Sequence, residues 1–312
     1  MKKTAYIAAK ESDAERLDTY ISLKSGLSRS YVQGLLKQGL ILVNSAQKKA
    51  SYKIRQGDRI ELTVPDEPAY VLIPQDITID VLWEDGHIIV VNKPPGMVVY
   101  PAAGHRDRTL LNAVISRCRK LPAIGSPLRA GVVHRIDKDT SGVIVIAKDN
   151  AAYINLSRQF RDREVEKHYL ALLYGSLKKD RGEISTAIGR AVSGRKKMST
   201  RTKKGKEAIT RYEVIERFKS ATLAKVNIIT GRTHQIRVHF SAMGNPVLGD
   251  RIYGEKTAIK FAQKTIAFSR QMLHAHSLKF RHPIDGHLLE FTAPMPEDMK
   301  QAIEQLSGDT VL

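Results

Sequence analysis

The chain has 312 residues, of which 42% are apolar and 27% charged, and this composition excludes a wholly disordered or fibrous protein. Lys and Arg number 51 against 32 Asp and Glu, and the resulting net charge of +19 indicates a polyanionic partner. The single cysteine excludes an intrachain disulfide and a cysteine-based zinc finger, and no apolar run approaches the ~20 residues that span a bilayer, so we expect a cytoplasmic protein with no membrane partner.

Residues 1–64 are predicted to form a small basic module. Apolar residues at near-helical spacing indicate a first helix after Arg16, and a second helix is expected to begin at the N-cap Ser28 and to end at Gly39. Two β-branched or apolar runs predict strands at residues 40–43 and 60–64. The module is therefore expected to be a small α/β domain.

Residues 65–80 are predicted to link this module to a larger domain of residues 81–312. The linker opens with Pro65 and Pro68, which disfavour both a helix and a central strand. Beyond it the pattern predicts one helix and four strands, in the order 88–91 (strand), 143–147 (strand), 150–160 (helix), 214–218 (strand) and 223–229 (strand). Because helices fall between groups of strands without a strict βαβ rhythm, we expect an α+β fold with a mixed, largely antiparallel sheet.

A basic run covers residues 190–206, which hold eight Lys or Arg and no acidic residue. Such a block cannot pack in a core, so it is either a solvated loop or an arm that grips a polyanion. The charge of the whole chain favours the arm, and Arg195, Lys196 and Lys197 are its expected contacts.

The densest group of charged residues is HRIDKDTSG at residues 134–142, directly before the strand predicted at 143–147. Polar loops seated on a rigid sheet are favoured sites of function. The same residues also suit a salt-bridged connecting loop, and residue types alone leave both interpretations open.

A second polar motif is TGRTHQIRVH at residues 230–239. His234 and His239, with His274 further on, would permit a zinc site and a metal-dependent hydrolase. No suitably spaced carboxylate accompanies them, so structural histidines are favoured over metal ligands.

The N-terminal module resembles the S4 RNA-binding domain in the segments RLDTYIS, SRSYVQGLLKQGLILVN and QGDRIEL. The resemblance implies two helices that present polar and basic residues to RNA. The expected contacts are Arg29, Ser30, Gln33, Lys37 and Lys53. For each of them a merely solvated position is an equal alternative.

The larger domain resembles the RluA family of pseudouridine synthases in six ordered segments between about residues 81 and 298. They are EDGHIIVVNKPPGMVV, HRIDKDTSG, residues 163–174, TGRTHQIRVH, GNPVLGDRIYG and RQMLHAHSLKFRHP. Two positions depart from the family pattern: Ile136 replaces a leucine, and Tyr100 stands where the family often has VVHP. The resemblance implies the pseudouridine synthase catalytic fold and an isomerase that converts uridine to pseudouridine in RNA, with no cofactor and no metal.

The resemblance also implies roles for individual residues. Asp137 would be the catalytic carboxylate, Tyr169 would stack on the target uracil, and Arg232 would pair with Asp137. Arg135 would fill the space left by the displaced uridine, and Ile229 would line the pocket. Three further residues are expected to bind substrate, and they are His134, Thr140 and Lys167.

The appended RNA-binding domain makes ribosomal RNA the expected substrate, from the large subunit and either naked or within a pre-ribosomal particle, and we expect the enzyme to be a monomer. Transfer RNA is the alternative substrate. A non-catalytic RNA-binding or assembly factor on the same scaffold is the alternative function, although the retained set of Asp137, Tyr169 and Arg232 favours an enzyme.

Overall fold

The computed structural model describes residues 2–27, 29–64, 72–102, 104–118, 121–122, 127–191, 197–202, 204–260 and 264–307. The chain divides into two compact units, Met1–Tyr70 and Val71–Leu312. The predicted N-cap Ser28 and the predicted linker residues 65–71 lie outside the described residues.

The first unit has two helices and a four-stranded antiparallel sheet of order β1-β4-β2-β3. Its elements are β1 (Lys2–Ile7), α1 (Leu17–Ser25), α2 (Arg29–Lys37), β2 (Ile41–Val43), β3 (Ala46–Gln47) and β4 (Arg59–Val64). Helix α1 ends at Gly26, whose φ of 71° is the left-handed conformation that glycine adopts most easily. Both predicted helices and both predicted strands of this module are confirmed.

The second unit is built on a ten-stranded sheet. Its strands are β5 (Asp80–Glu84), β6 (Ile88–Lys93), β7 (Ser141–Ala147), β8 (Glu166–Tyr174), β9 (Arg181–Arg190), β10 (Met198–Ser199), β11 (Lys206–Arg217), β12 (Ala221–Ile228), β15 (Leu273–Arg281) and β16 (Leu288–Thr292). The pair β13 (Ala258–Lys260) and β14 (Thr265–Ala267) forms a separate hairpin. The helices are α3 (Leu110–Cys118), α4 (Asn150–Arg161), α5 (Gln235–Ala242) and α6 (Glu297–Ser307).

The main sheet has the order β10-β9-β11-β12-β8-β15-β7-β6-β5, with β16 beside β15. Strands β15 and β7 run parallel to each other, and the other described pairs are antiparallel, which confirms the largely antiparallel sheet. The predicted short strand at 214–218 is wrong in extent, because β11 is a twelve-residue strand with a bulge between Val214 and Glu216. Its alternation of charged and apolar residues marks a half-exposed strand.

Helices cover both faces of this sheet. On one face α3 and α5 pack on a core that contains Ile144 and Ile146, and on the other face α4 packs on Val143 and Val145. Every residue of β7 is buried as a result, which explains the continuous apolar run at 143–147. The polar loop that precedes β7 is therefore attached to the most deeply buried part of the sheet.

None of the helices in the described part of the chain combines the length and the apolarity needed to cross a membrane.

Candidate active site

Asp137 lines a cleft in the second unit. The loop that follows β12, the first turns of α5 and a residue of β8 contribute its other walls. The lining includes Tyr169, Ile228, Arg232, His234 and Arg237. Residues far apart in the sequence thus converge on one carboxylate, whose side chain is 17% exposed.

A buried guanidinium holds this carboxylate. Nη1 of Arg237 donates to Oδ2 of Asp137 at 2.8 Å. The same guanidinium donates through Nε and Nη2 to the two oxygens of Asp250, at 2.7 and 3.0 Å. Because the fork is fixed on Asp250, an N–H of Nη1 is aimed at Asp137 with little freedom to move.

The prediction that Arg232 pairs with Asp137 is wrong. Arg232 lines the cleft, but its Nε donates to the backbone oxygen of Glu207 at 2.9 Å. The residue paired with Asp137 is Arg237, which the sequence reasoning did not select. Arg232 precedes α5, whereas Arg237 is in its first turn and points into the protein.

The charges of Arg237, Asp250 and Asp137 stabilise one another. Burial opposes charge on Arg237, but the hydrogen bond to Asp250 and the charge of Asp137 raise the pKa of Arg237 above its usual value. Burial would raise the pKa of Asp250, but the hydrogen bond and charge of Arg237 lower it. Both groups stay ionised near neutral pH, and the cleft has a fixed cation behind its carboxylate.

Tyr169 is on β8 and is 8% exposed, with its ring in the cleft wall. Burial, with the charge of Asp137 adding to it, raises the pKa of Tyr169. The phenol is therefore protonated near neutral pH. It offers a flat aromatic face and an O–H group to whatever enters the cleft.

The loop that carries Asp137 is clamped by a buried lysine. Lys93, which ends β6, is 0% exposed, and Nζ donates to the backbone oxygens of Pro94, Met97 and Lys138 at 2.8, 2.9 and 3.0 Å. Burial lowers the pKa of Lys93 to about 7. The amine joins the NKPPG segment to the residue next to Asp137, a role that sequence alone did not reveal.

Two of the expected substrate-binding residues line the cleft. Thr140 and Arg135 are in its wall. Oγ1 of Thr140 accepts a hydrogen bond from Nε2 of Gln271 at 2.8 Å. Nη1 of Arg135 donates to the hydroxyl of Tyr100 at 3.0 Å, and the guanidinium of Arg129 lies 4.7 Å from the centre of the same ring. Tyr100 thus holds Arg135 beside the loop of Asp137.

The other three expected substrate-binding residues are not in the cleft wall. His134 stacks on Phe160, and its Nε2 accepts from the backbone N–H of Val145 at 3.0 Å, while burial lowers its pKa to about 3. Lys167 lies with its amine 5.8 Å from the centre of the Phe160 ring. Both side chains therefore pack beside α4, and their predicted place at the substrate is wrong.

Ile229 is also misplaced by the prediction. The residue that lines the cleft is Ile228. The backbone N–H of Ile229 donates to Ile209 at 3.1 Å. Successive residues of a strand face opposite sides, so an error of one position moves the side chain to the wrong face.

The histidines considered for zinc do not meet. His239 contacts the hydroxyls of Thr186 and Thr210, and His274 contacts Ser141, while His234 lies at the cleft. Burial lowers the pKa values of His239 and His274 to about 4. They are neutral, hydrogen-bonded core residues, as the favoured interpretation held.

In the first unit, two of the expected RNA contacts are engaged with an acid. Nε of Arg29 and Nε2 of Gln33 donate to Oδ2 of Asp18 at 3.0 and 2.7 Å, and the side chain of Asp18 is 0% exposed. Lys37 and Lys53 are exposed. Arg29 and Gln33 therefore tie α2 to α1, whereas the side chains of Lys37 and Lys53 face solvent.

The basic run of residues 190–206 is partly described. Its residues 197–202 include β10, which pairs with β9, and Lys197 is exposed. Arg195 and Lys196 lie outside the described residues. The side chain of Ser30 in α2 lies outside them as well.

Asp137, partly buried, shares one cleft with the fixed cation of Arg237 and the neutral phenol of Tyr169. A carboxylate in such a setting can attack a sugar carbon or stabilise positive charge there. Residues 87–242 match the model of the RNA pseudouridylate synthase family, and residues 15–60 match the S4 domain. The chain belongs to the RNA pseudouridylate synthase family and is an RNA uridine isomerase with an S4 RNA-binding domain.

Individual relatives agree with this assignment. An uncharacterised RNA pseudouridine synthase of Bacillus subtilis is 42% identical over 307 residues, which cover 98% of this chain and 99% of that protein. The ribosomal large subunit pseudouridine synthase D of Zymomonas mobilis is 41% identical and covers 93% of each chain. The solved human RNA pseudouridylate synthase domain containing 1 superposes with a TM-score of 0.55 at 27% identity, covering 75% of this chain and 96% of that one.

Proposed function

We propose that this enzyme converts specific uridines of large-subunit ribosomal RNA to pseudouridine and that Asp137 is its catalytic carboxylate. The observation that carries the assignment of Asp137 is its pairing with Arg237 inside the cleft, at 2.8 Å. The substrate is supported by relatives named ribosomal large subunit pseudouridine synthase D in three other bacteria, which are 39% identical over about nine-tenths of this chain.

The chemistry is an isomerisation. The bond from ribose C1′ to uracil N1 breaks, the uracil turns within the cleft, and a bond from C1′ to C5 forms. The proton leaves C5 and N1 ends protonated, so the reaction needs no oxidant or reductant. A carboxylate beside C1′ can attack this carbon or stabilise its positive charge, and Asp137 is suited to either route.

The surrounding residues supply what the carboxylate needs. Arg237 orients Asp137 through its hydrogen bond, and the ring of Tyr169 provides a face on which the detached uracil can stack. The target must leave the RNA stack, which costs a few kcal/mol. Arg135, held on Tyr100 at 3.0 Å, is close enough to the loop of Asp137 to occupy the vacated space.

RNA affinity is assigned to the S4 domain and to the basic run of residues 190–206. Lys37 and Lys48 lie on one groove of the first unit and are placed to meet phosphates. Because contacts of this kind release counterions, binding is expected to weaken steeply with salt.

The proposal extends to the state of the enzyme. We expect a monomer, because Asp137, Tyr169 and Arg237 all belong to the second unit. A cytoplasmic location and naked or pre-ribosomal RNA as the substrate are parts of the same proposal. Light scattering should give a mass near 34.9 kDa. A stable dimer would contradict the monomer without touching the assignment of Asp137.

The test of the catalytic assignment is Asp137→Asn, which keeps the size of the side chain and removes its charge. Release of tritium from RNA labelled at C5 of uridine should fall at least a thousandfold, about 4 kcal/mol of transition-state stabilisation. Asp139→Asn in the same loop is the matched control and should retain most activity. Near-normal turnover by Asp137→Asn would refute the assignment.

The substrate is tested by mapping pseudouridine in cells without the protein. Sites missing from large-subunit ribosomal RNA, restored by the wild-type gene and not by Asp137→Asn, are the expected result. Missing sites in transfer RNA instead would overturn the substrate and leave the chemistry intact. An unchanged map would favour the non-catalytic alternative.

A further inference from the structure

Tyr253 lies between the basic run and Asp137, and its hydroxyl has two partners. It accepts a hydrogen bond from the backbone N–H of Met198, in β10, at 2.9 Å, and it lies 2.7 Å from Nδ1 of His234. On the other side of that imidazole, Nε2 is 3.8 Å from Oδ1 of Asp137. A line of polar contacts therefore runs from the backbone of residue 198 to the carboxylate.

The hydrogen bonds of Tyr253 bear on which ring nitrogen of His234 carries the proton. A phenol has a single proton to donate. Its oxygen accepts from the backbone N–H of Met198, and in the arrangement proposed below its proton goes to Nδ1 of His234, 2.7 Å away. A neutral imidazole that accepts at Nδ1 carries its own proton at Nε2. An N–H group is thereby directed at Oδ1 of Asp137.

The backbone at His234 supports a special role for this ring. His234 has φ 56° and ψ 23°, the left-handed conformation, at the N-cap of α5. This conformation costs a residue with a Cβ atom ~1 kcal/mol or more. The guanidinium of Arg237 also lies 5.0 Å from the centre of the Tyr253 ring, so both rings are held against the charged group that binds Asp137.

The imidazole is neutral near pH 7. Burial is the largest influence and lowers the pKa of His234 below its ordinary value. Of the charged groups that face it, Asp137 and Asp250 favour protonation, whereas Arg237 and Arg135 oppose it. Only a neutral ring has two tautomers, so the hydrogen bond from Tyr253 decides which nitrogen faces the carboxylate.

We propose that Tyr253 and His234 are positioning residues that hold an imidazole N–H toward the second oxygen of Asp137, so that seating β10 on Tyr253 sets the orientation of the catalytic carboxylate. Arg237 fixes Oδ2, and His234 restrains Oδ1 as the 3.8 Å gap closes around bound RNA. This inference rests on the proposed catalytic role of Asp137. In this inference the basic run of residues 190–206 both binds phosphate and, through β10, helps to orient Asp137.

The first test is Tyr253→Phe, which removes the hydroxyl and keeps the ring. We expect kcat to fall about tenfold (~1.4 kcal/mol) while KM for RNA is nearly unchanged, because the lost group orients Asp137 and does not touch RNA. Tyr153→Phe, on α4 and half-buried, is the matched control and should turn over normally. Thermal denaturation of both variants checks that they are folded.

A pH profile separates positioning from packing. Without the hydroxyl, Nδ1 of His234 is free to take up a proton, so kcat of Tyr253→Phe should gain an acid limb at higher pH than the wild type. Adding His234→Gln, which cannot titrate but still offers an amide N–H near the position of Nε2, should remove this limb. His234→Gln alone should keep far more activity than His234→Leu.

The outcomes decide between the claims. Wild-type kcat and pH profile in Tyr253→Phe, or equal activity in the glutamine and leucine variants of His234, would overturn this inference. If Tyr253→Phe does not fold, the two variants of His234 still provide the test. An active Asp137→Asn enzyme would instead refute the catalytic role of Asp137. The results therefore distinguish a failure of this inference from a failure of the proposed function.

Discussion

Arg237→Leu tests most directly whether Asp137 depends on its hydrogen bond with Arg237. The side chain of Arg237 is 5% exposed, and that of its partner Asp250 is 0% exposed. Removing one member of a buried ion pair leaves an unpaired charge and costs ~3–5 kcal/mol of the free energy of unfolding. The single variant should therefore be both unstable and inactive, which by itself does not separate the two effects.

The double variant Arg237→Leu/Asp250→Asn separates them. Asp250 also accepts hydrogen bonds through Oδ1 from the backbone N–H groups of Ile252 and Tyr253, at 2.9 and 3.1 Å. An asparagine oxygen can keep these two bonds, and no buried charge remains. We expect most of the free energy of unfolding to be recovered, because replacing both partners of a buried pair is often nearly neutral.

Activity should not recover with stability. Asp137 loses a charge-assisted hydrogen bond of 2.8 Å, and such bonds contribute ~1.5–3 kcal/mol. The double variant should thus turn over about 10 to 150 times more slowly, measured as kcat for tritium release beside unfolding in urea. Arg232→Leu, in the same cleft, should keep kcat near that of the wild type. A fully active double variant, or an equal loss of kcat in Arg232→Leu, would refute the assignment of Arg237.

Two further predictions concern acid stability and RNA affinity. Burial lowers the pKa of His239 to about 4. Below pH ~6.5 the unfolded chain therefore binds a proton that the folded protein does not. The free energy of unfolding should fall between pH ~6.5 and pH ~4, by up to ~1.4 kcal/mol per pH unit. Urea unfolding should show a shallower pH slope for His239→Gln, and equal slopes would contradict this. Charge reversal at Lys37 and Lys48, which line one groove, should weaken RNA binding at low salt and reduce the salt slope by about 2. Glu304→Lys in the second unit is the control, and an unchanged slope for the lysine variant would exclude that groove.

The sequence predicted the parts of the fold that depend on local pattern. The buried run of β7, the helix α4 and the helices of the S4 domain follow from periodicity and composition. The full length of β11 was not predicted, because residues 206–213 bury only one face, at Ala208, Thr210 and Tyr212, and so lack the continuous apolar run of a strand that is buried on both faces.

The site was predictable in its residue types and less so in its pairings. The resemblance selected Asp137 and Tyr169, and the structure brings both to one cleft. It selected Arg232 where the structure has Arg237, because the sequence does not show that His234 adopts a left-handed conformation and that α5 begins one residue later. The start of a helix decides which of two nearby arginines turns inward.

Residues 140–142 connect the loop of Asp137 to β7, and their contacts fix how far Asp137 lies from the sheet. The backbone N–H of Thr140 donates to the backbone oxygen of Asp137 at 3.1 Å, which closes a turn. Oγ of Ser141 lies 2.9 Å from Nδ1 of His274. Gly142 follows with φ 114°, and a Cβ atom there would lie 2.1 Å from the backbone oxygen of Ala275. A side chain at this position would push β7 away from β15 at their parallel contact.

Because β8, which carries Tyr169, also pairs with β15, that displacement would change the distance from Asp137 to the tyrosine ring. The glycine of HRIDKDTSG thus sets the width of the cleft through the sheet, although it lies five residues from the carboxylate and has no side chain to contact RNA. The conformation of Gly142 and its contact with Ala275 leave no room for even an alanine there. The loop and the sheet are therefore coupled through a backbone contact that fixes the relative positions of Asp137 and Tyr169.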